Sequence, residues 1–556
     1  MSTAEKNAVS TRTPETPAWF YKFGRTLIAL FLFAMAGAYD ISVAEVSGDL
    51  RWIMIHATAM ILITAYFIAC LGRPLGKPRQ MPRAERTAHP DPRKNDPGGR
   101  RPPGDGSKTT LNFPCLESVS RMPFIIWLVA FLAIWSALSM LWTLSPYHSW
   151  WSLKHLLGYT VLFAFVYLLR SEKWYMNLLW IAALGVGFNS LIAIAQFHDV
   201  GDARLAAVFP PWKYITAGFS ALLRNVYFLS GTDRTIADTL PFFHQDMLLD
   251  LFRQAFPPAG TQSNKNLLGS YLVLTLPAVF YLFLSGRNNS GRFIAAMLFT
   301  MGTVALLYTR SRASWFSALC AVIFFTGWLL SRRQYRRIVK PVFAKPALAL
   351  LAVVCLVVIG GGNLRSKPGV RSVIEQFRTL VRMPVQDDCD TLAVRIAYNL
   401  NGLAMIRDRP FCGAGLGAFH AAYPAYYRAV RQTPPSGFSM TARPSRMHDD
   451  LGQAFVELGI FGGLAYIGIF LTLLLMAWRI GEPSAKSDPE PTPAHGHPSM
   501  GDSIILALCL MTGIIGLGIN SLADFPMQLP LTPSILWIFA GMLTGLYVMR
   551  VESADI

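Results

Sequence analysis

The residues best suited to chemistry fall in four short polar clusters, each beside a long apolar run. In Thr261-Gln-Ser-Asn-Lys-Asn266 a cation, Lys265, stands where a helix begins, so its ammonium and the first backbone N–H groups can hold an anion. A snorkelling Lys beside an Asn cap is the plain structural alternative. Tyr308-Thr-Arg-Ser-Arg-Ala-Ser-Trp315 puts Arg310 and Arg312 in a tight turn between two apolar runs. Guanidinium groups stay charged, and their planar fork matches phosphate oxygens, so this pair suits a diphosphate.

The third cluster, Arg446-Met-His448-Asp-Asp450, supplies a general base. An imidazole titrates near neutrality, and Asp449 or Asp450 is placed either to orient it or to cap the following helix. An exposed loop His is otherwise simply solvated. The fourth, Ala523-Asp-Phe-Pro-Met-Gln-Leu-Pro530, carries Asp524, for which a structural role is the alternative. Arg446 and Arg395 are further cations placed to support the site.

Apolar helices must position these clusters. The chain has 556 residues, 53% hydrophobic and only 15% charged, too much hydrocarbon for a soluble core of ordinary proportions. The apolar residues come in runs of about 17–24, enough to cross a hydrocarbon layer of about 30 Å. Spans are expected at about 24–39, 52–71, 123–144, 153–169, 174–197, 264–286, 292–309, 312–331, 345–361, 451–478, 501–521 and 531–549. The expected fold is therefore all-α, a polytopic bundle of about twelve transmembrane helices.

The net charge of +18 does not indicate nucleic acid, because Lys and Arg gather at the ends of apolar runs. Lys77, Arg79, Arg83, Arg86, Arg93, Lys94, Arg100, Arg101 and Lys108 lie in one Pro- and Gly-rich segment, which must face the cytoplasm. Alternation then places Arg170–Lys173, Arg287–Arg292, the Arg332–Arg337 run and Arg479 on the same side. All four clusters fall on the other side, where short loops normally avoid Arg, so Arg310 and Arg312 call for a functional reason.

The organisation that follows is spans one and two in 1–72, a basic cytoplasmic loop in 73–122, one membrane domain in 123–549 and a tail in 550–556. The membrane domain carries external segments 198–263 and 362–450. In the second of these, Val370, Val373, Ile374, Phe377, Leu380 and Val381 recur at helical spacing, and Leu392, Ile396, Leu400, Leu403 and Ile406 repeat the pattern. Two amphipathic helices at the outer interface, or capping the bundle, are expected. Phe242 to Phe256 is a third candidate helix. Of seven Cys, only Cys389 and Cys412 fall outside, which leaves a disulfide between them open. No Cys or His spacing suggests a metal site.

These pieces, in this order, resemble the O-antigen ligase and polysaccharide polymerase superfamily of bacterial envelope glycosyltransferases. The resemblance rests on Leu138-Ser-Met-Leu-Trp-Thr-Leu-Ser-Pro146, Asn264-Lys-Asn with Leu276-Pro277, and Ser311-Arg312. Further along it rests on Asp408-Arg-Pro with Gly413, Gly415 and Gly417, and on His448-Asp-Asp with Glu457 and Gly459. It covers roughly 124–548, and the ordered set is more specific than any motif alone. Here the last external turn reads Asn520-Ser-Leu-Ala-Asp524, where the family often has a His before its Ser and Asp.

The resemblance implies a GT-C-like enzyme of the bacterial inner membrane, with its active site facing the periplasm. It would move a glycan from an undecaprenyl-diphosphate donor to a glycan or lipid A-core acceptor, with inversion and without cofactor or metal. Arg312 and Lys265, with Arg310, would hold the diphosphate, and His448 would activate the acceptor hydroxyl. Ligase, O-antigen or exopolysaccharide polymerase, and protein O-glycosylation all remain open. The competing class is a transporter or flippase of lipid-linked sugars. Against it, the chain shows no internal repeat and its charges cluster at one face, away from the midplane.

Overall fold

An apolar run inside lipid has no water to satisfy its peptide groups, so it closes its hydrogen bonds internally as a helix. The computed structural model describes residues 17–37, 49–71, 122–198, 258–262, 264–286, 288–331, 389–426, 444–481 and 500–554. Among these the chain forms α1 (Ala18–Gly37), α2 (Asp49–Leu71), α3 (Phe124–Leu138), α4 (Pro146–Leu168), α5 (Glu172–His198), α6 (Lys265–Ser285) and α7 (Asn289–Tyr308). There follow α8 (Arg312–Ser331), α9 (Cys389–Asp408), α10 (Phe419–Tyr426), α11 (Asp450–Ile480), α12 (Met500–Asn520) and α13 (Leu531–Ala554).

All of these except α9 and α10 are long and apolar enough to cross a membrane, giving 11 candidate spans among the described residues. They coincide with the expected runs. The remaining expected span, 345–361, lies outside the described residues, as do the loop 73–121, the candidate helix 242–256 and the helix around Val370–Arg382. The protein is thus an all-α, multi-pass membrane protein.

Some boundaries shift for identifiable reasons. The fourth span was expected from 153, but α4 starts at Pro146, whose fixed φ suits the first helical position and whose missing N–H costs nothing there. In α3 the helix ends at Leu138 and tightens into a 3-10 turn over Ser139–Leu141. That turn packs under the glycine-rich loop described below.

The bundle is built around α6, which packs on α5, α7 and α12, while α4 packs on α13 and α3 on α11. About 78% of the most apolar stretch of α6 is buried inside protein, against 28% for α3, so α6 is interior and α3 faces lipid.

Helix α9 forms where the second amphipathic pattern was expected. Tyr398, Asn401 and Met405 are buried, while Ile396, Leu400 and Leu403 are exposed. Those three residues therefore point away from the protein, as an interfacial helix requires, while Ile406 packs beside Tyr398 and Met405 on the face that makes the protein contacts. Asn401 Nδ2 donates to Tyr423 Oη of α10 (2.9 Å), which secures that packing. Cys412 is an exposed free thiol, so the disulfide left open with Cys389 is not formed, and the side chain of Cys389 lies outside the described residues.

Candidate active site

Four helix ends are laced together first. Ser270 Oγ of α6 donates to Asn520 Oδ1 at the end of α12 (3.0 Å). Asn520 Nδ2 donates to Ser314 Oγ in the first turn of α8 (3.0 Å). One residue on, Ser521 O accepts the Asp450 N–H that opens α11 (2.9 Å). Lys265 and Arg312 are the first residues of α6 and α8. The network thus brings both cations to one end of the bundle, each on a helix N-terminus whose dipole favours an anion.

Arg310 is placed differently. It adopts a left-handed backbone conformation (φ 53°) and is only 8% exposed. Its guanidinium lies over the Phe197 ring at the end of α5, 5.8 Å from the centroid. Burial holds its pKa below the usual arginine value.

His448 also takes a left-handed conformation (φ 60°), uncommon for a residue with a Cβ and characteristic of functional turns. Nδ1 stands 3.7 Å from Oδ1 of Asp524. Phe525 meets the imidazole edge-on (4.6 Å between centroids) and Tyr398 stacks at 6.1 Å. The His448 side chain is about a third exposed, whereas Asp524 is buried at 1%. At 3.7 Å the pair is electrostatic, one small ring movement short of a hydrogen bond; apo sites often tighten in this way.

The two acids after His448 therefore do not orient it. Asp449 caps α11, its Oδ1 accepting from Gly452 N (3.0 Å). Burial raises its pKa, and the N–H groups of Gly452 and Leu451 oppose the shift. Asp450 is buried and reaches the turn between α12 and α13, accepting from Met527 N (2.9 Å) and Gln528 Nε2 (3.3 Å). Gln528 Oε1 in turn accepts from Arg446 Nη1 (3.0 Å). Asp450 thus holds the turn that carries Asp524 against the turn that carries His448. Arg395, on α9, is half-buried.

Beneath this, α11 breaks at Gly459, which has φ 66° and ψ −166°, a conformation essentially restricted to glycine. The break frees carbonyls that a continuous helix would satisfy, and the Cys412–Gly417 loop takes them. Ala414 N donates to Val456 O (2.9 Å) and Gly415 N to Glu457 O (2.8 Å). Trp135 Nε1 of α3 donates to Leu458 O (2.8 Å) and Ile460 N to Pro410 O (2.8 Å). A Cβ on Gly413 would run into the Glu457 carbonyl. Buried Glu457 fastens the loop, accepting from Gly417 N (2.7 Å), Phe419 N (3.4 Å) and Gln453 Nε2 (2.9 Å).

Beside these residues lies a cavity of about 520 Å³ between α4, α11 and α13. Its polar lining includes His148, His420, Arg446, Asp450, Gln453 and Glu457, and its apolar lining includes Leu132, Ile469, Leu473, Leu536 and Trp537. His448 is flanked in sequence by Arg446 and Asp450, both on the cavity wall. His148 and His420 meet across it, ring centroids 4.1 Å apart. Among the described residues no group of three or more His, Cys, Asp or Glu is arranged to hold a metal ion.

Sequence reasoning overlooked His148, His420 and Gln453. The two histidines lie in segments with no distinguishing pattern. Asp450, Gln453 and Glu457 did carry a signal: spacings of three and four place them on one face of a membrane helix, where buried polar groups mark function.

Residues 293–467 match the family model described as O-antigen ligase. The matched stretch includes Arg310, Arg312, Arg395, Arg446, His448 and Asp449, and ends inside α11. No curated protein matches the chain.

Proposed function

We propose, from the O-antigen ligase domain carried over residues 293–467, that this membrane protein transfers a glycan from undecaprenyl diphosphate to an acceptor hydroxyl on the periplasmic side. The observation that carries the reading is an imidazole about a third exposed, backed by a buried carboxylate, in a turn whose residues Arg446 and Asp450 line a cavity with polar and apolar walls. A lipid-linked sugar has the same division, glycan and phosphate above and hydrocarbon below.

In this reading the acceptor oxygen attacks the anomeric carbon as its proton passes to His448. The bond from that carbon to the diphosphate oxygen breaks, and undecaprenyl diphosphate leaves with the electron pair. Single displacement inverts the anomeric centre. Asp524 stabilises the imidazolium that forms, the role of an orienting carboxylate. Lys265 and Arg312, on their helix N-termini, neutralise charge on the departing diphosphate. A positioned base contributes about 10²–10⁴-fold.

The test is transfer by the purified full-length protein, with a labelled undecaprenyl-diphosphate glycan and candidate acceptors. Glycan moved to acceptor in step with released undecaprenyl diphosphate supports the reading. Absence of transfer, together with scrambling of the intact donor across vesicle membranes, would replace it with the flippase alternative.

A further inference from the structure

Arg51, in the first turn of α2, belongs to the first two spans, well outside the matched family segment. It is only 3% exposed, and among the described residues no carboxylate pairs with it. Its Nη2 donates to Thr261 O (3.1 Å) and Thr261 Oγ1 (2.8 Å), and its Nη1 to Gln262 Oε1 (3.3 Å). Burying a cation is costly, and one held only by neutral acceptors is not explained by ion pairing.

What it holds is the short loop entering α6. Gln196 Oε1 of α5 accepts from Ala259 N (3.0 Å) and Gly260 N (2.9 Å), and Gln196 Nε2 donates to Gly260 O (3.1 Å). Thr261 donates its N–H (3.2 Å) and hydroxyl (2.7 Å) to Asn189 Oδ1, and Asn189 Nδ2 is anchored on Ala36 O of α1 (3.0 Å). With Gln262 N on Ala259 O (3.0 Å), every backbone polar group from Ala259 to Thr261 has a partner. Asn264 N then binds Gln262 O (2.6 Å), and Asn264 Oδ1 caps α6 by accepting from Asn266 N (2.9 Å). Between those two stands Lys265.

We propose that Arg51 is a positioning residue of the diphosphate site: it fixes the Ala259–Gln262 loop and, through it, Lys265. The inference rests on the glycan-transfer reading for the identity of the anion. It makes the first two spans part of the site. Arg is suited to the task because its fork binds two neighbouring residues at once, which an ammonium cannot reproduce.

The test is the affinity of the full-length protein, in lipid nanodiscs, for undecaprenyl diphosphate itself, in a cycle of Arg51→Gln and Lys265→Gln. Each single variant is expected to bind at least tenfold more weakly. The double variant is expected to bind within threefold of Lys265→Gln alone, because Arg51 acts through Lys265. Arg51→Lys should fall between Arg51→Gln and wild type. Thr261→Val, which keeps the charge and cuts one link, should show the same non-additivity and serves if Arg51→Gln does not fold. Wild-type affinity in Arg51→Gln, multiplicative losses in the double variant, or a wild type that does not bind this lipid would each overturn the proposal. A wild type that binds the lipid in this pattern but transfers no glycan would instead remove the glycan-transfer reading and leave the positioning role intact.

Discussion

Nδ1 of His448 faces Oδ1 of Asp524 at 3.7 Å, although one residue precedes α11 and the other follows α12. Among the described residues, neither the Nδ1 atom nor Oδ2 of Asp524 has a hydrogen-bond partner. Two unsatisfied buried atoms at the same spot are unfavourable at rest, so they are better explained by a task than by stability. Asp524→Asn keeps the shape and removes the charge that stabilises an imidazolium. Transfer is expected to fall about 10–10²-fold with unchanged detergent-solution melting behaviour. Full activity in this variant would reduce Asp524 to a structural residue.

Asp449 gives a prediction in pH. Burial raises its folded-state pKa, so the folded protein holds the proton more tightly than the unfolded chain. The associated stability is fully present below the ordinary carboxylate pKa and is lost as pH rises through the raised folded value. Asn is an equally good cap without a charge, so Asp449→Asn should abolish this component of the pH dependence. Melting temperature against pH for both proteins checks it: the curves should converge in acid and separate, with the variant higher, as Asp449 ionises in wild type.

Gly459 predicts the largest local loss of stability. A Cβ there would meet the Phe411 carbonyl as well as an unfavourable backbone region. Gly459→Ala should cost about 1–3 kcal/mol from the backbone alone, with further loss from the clash. Equilibrium unfolding in mixed micelles would show it, and an unchanged midpoint would mean that the break in α11 does not depend on glycine.

The cavity can be filled from Ala454, which lines it one residue after Gln453. Ala454→Trp is expected to lower transfer at least tenfold while the protein remains monodisperse, because the indole occupies substrate space. Normal turnover by a well-folded Ala454→Trp protein would move the substrate elsewhere.

The spans were legible because each is a local property, a run of hydrocarbon of the right length, and so was the gathering of Lys265, Arg312 and His448 at one end, which alternation dictates. Which acid serves which role was not legible. Asp449 and Asp450 adjoin His448 in sequence, yet helix geometry sends one to the cap and the other to Met527, leaving distant Asp524 beside the imidazole. Arg51 was hidden because a lone Arg at the start of a span reads as an interfacial anchor.

The central claim is that His448 takes the acceptor proton. Single-turnover transfer at saturating undecaprenyl-diphosphate glycan, comparing wild type with His448→Ala, tests it most directly. The rate is expected to be lower by about 10²–10⁴-fold, with donor binding retained. A rate within threefold of wild type would contradict it.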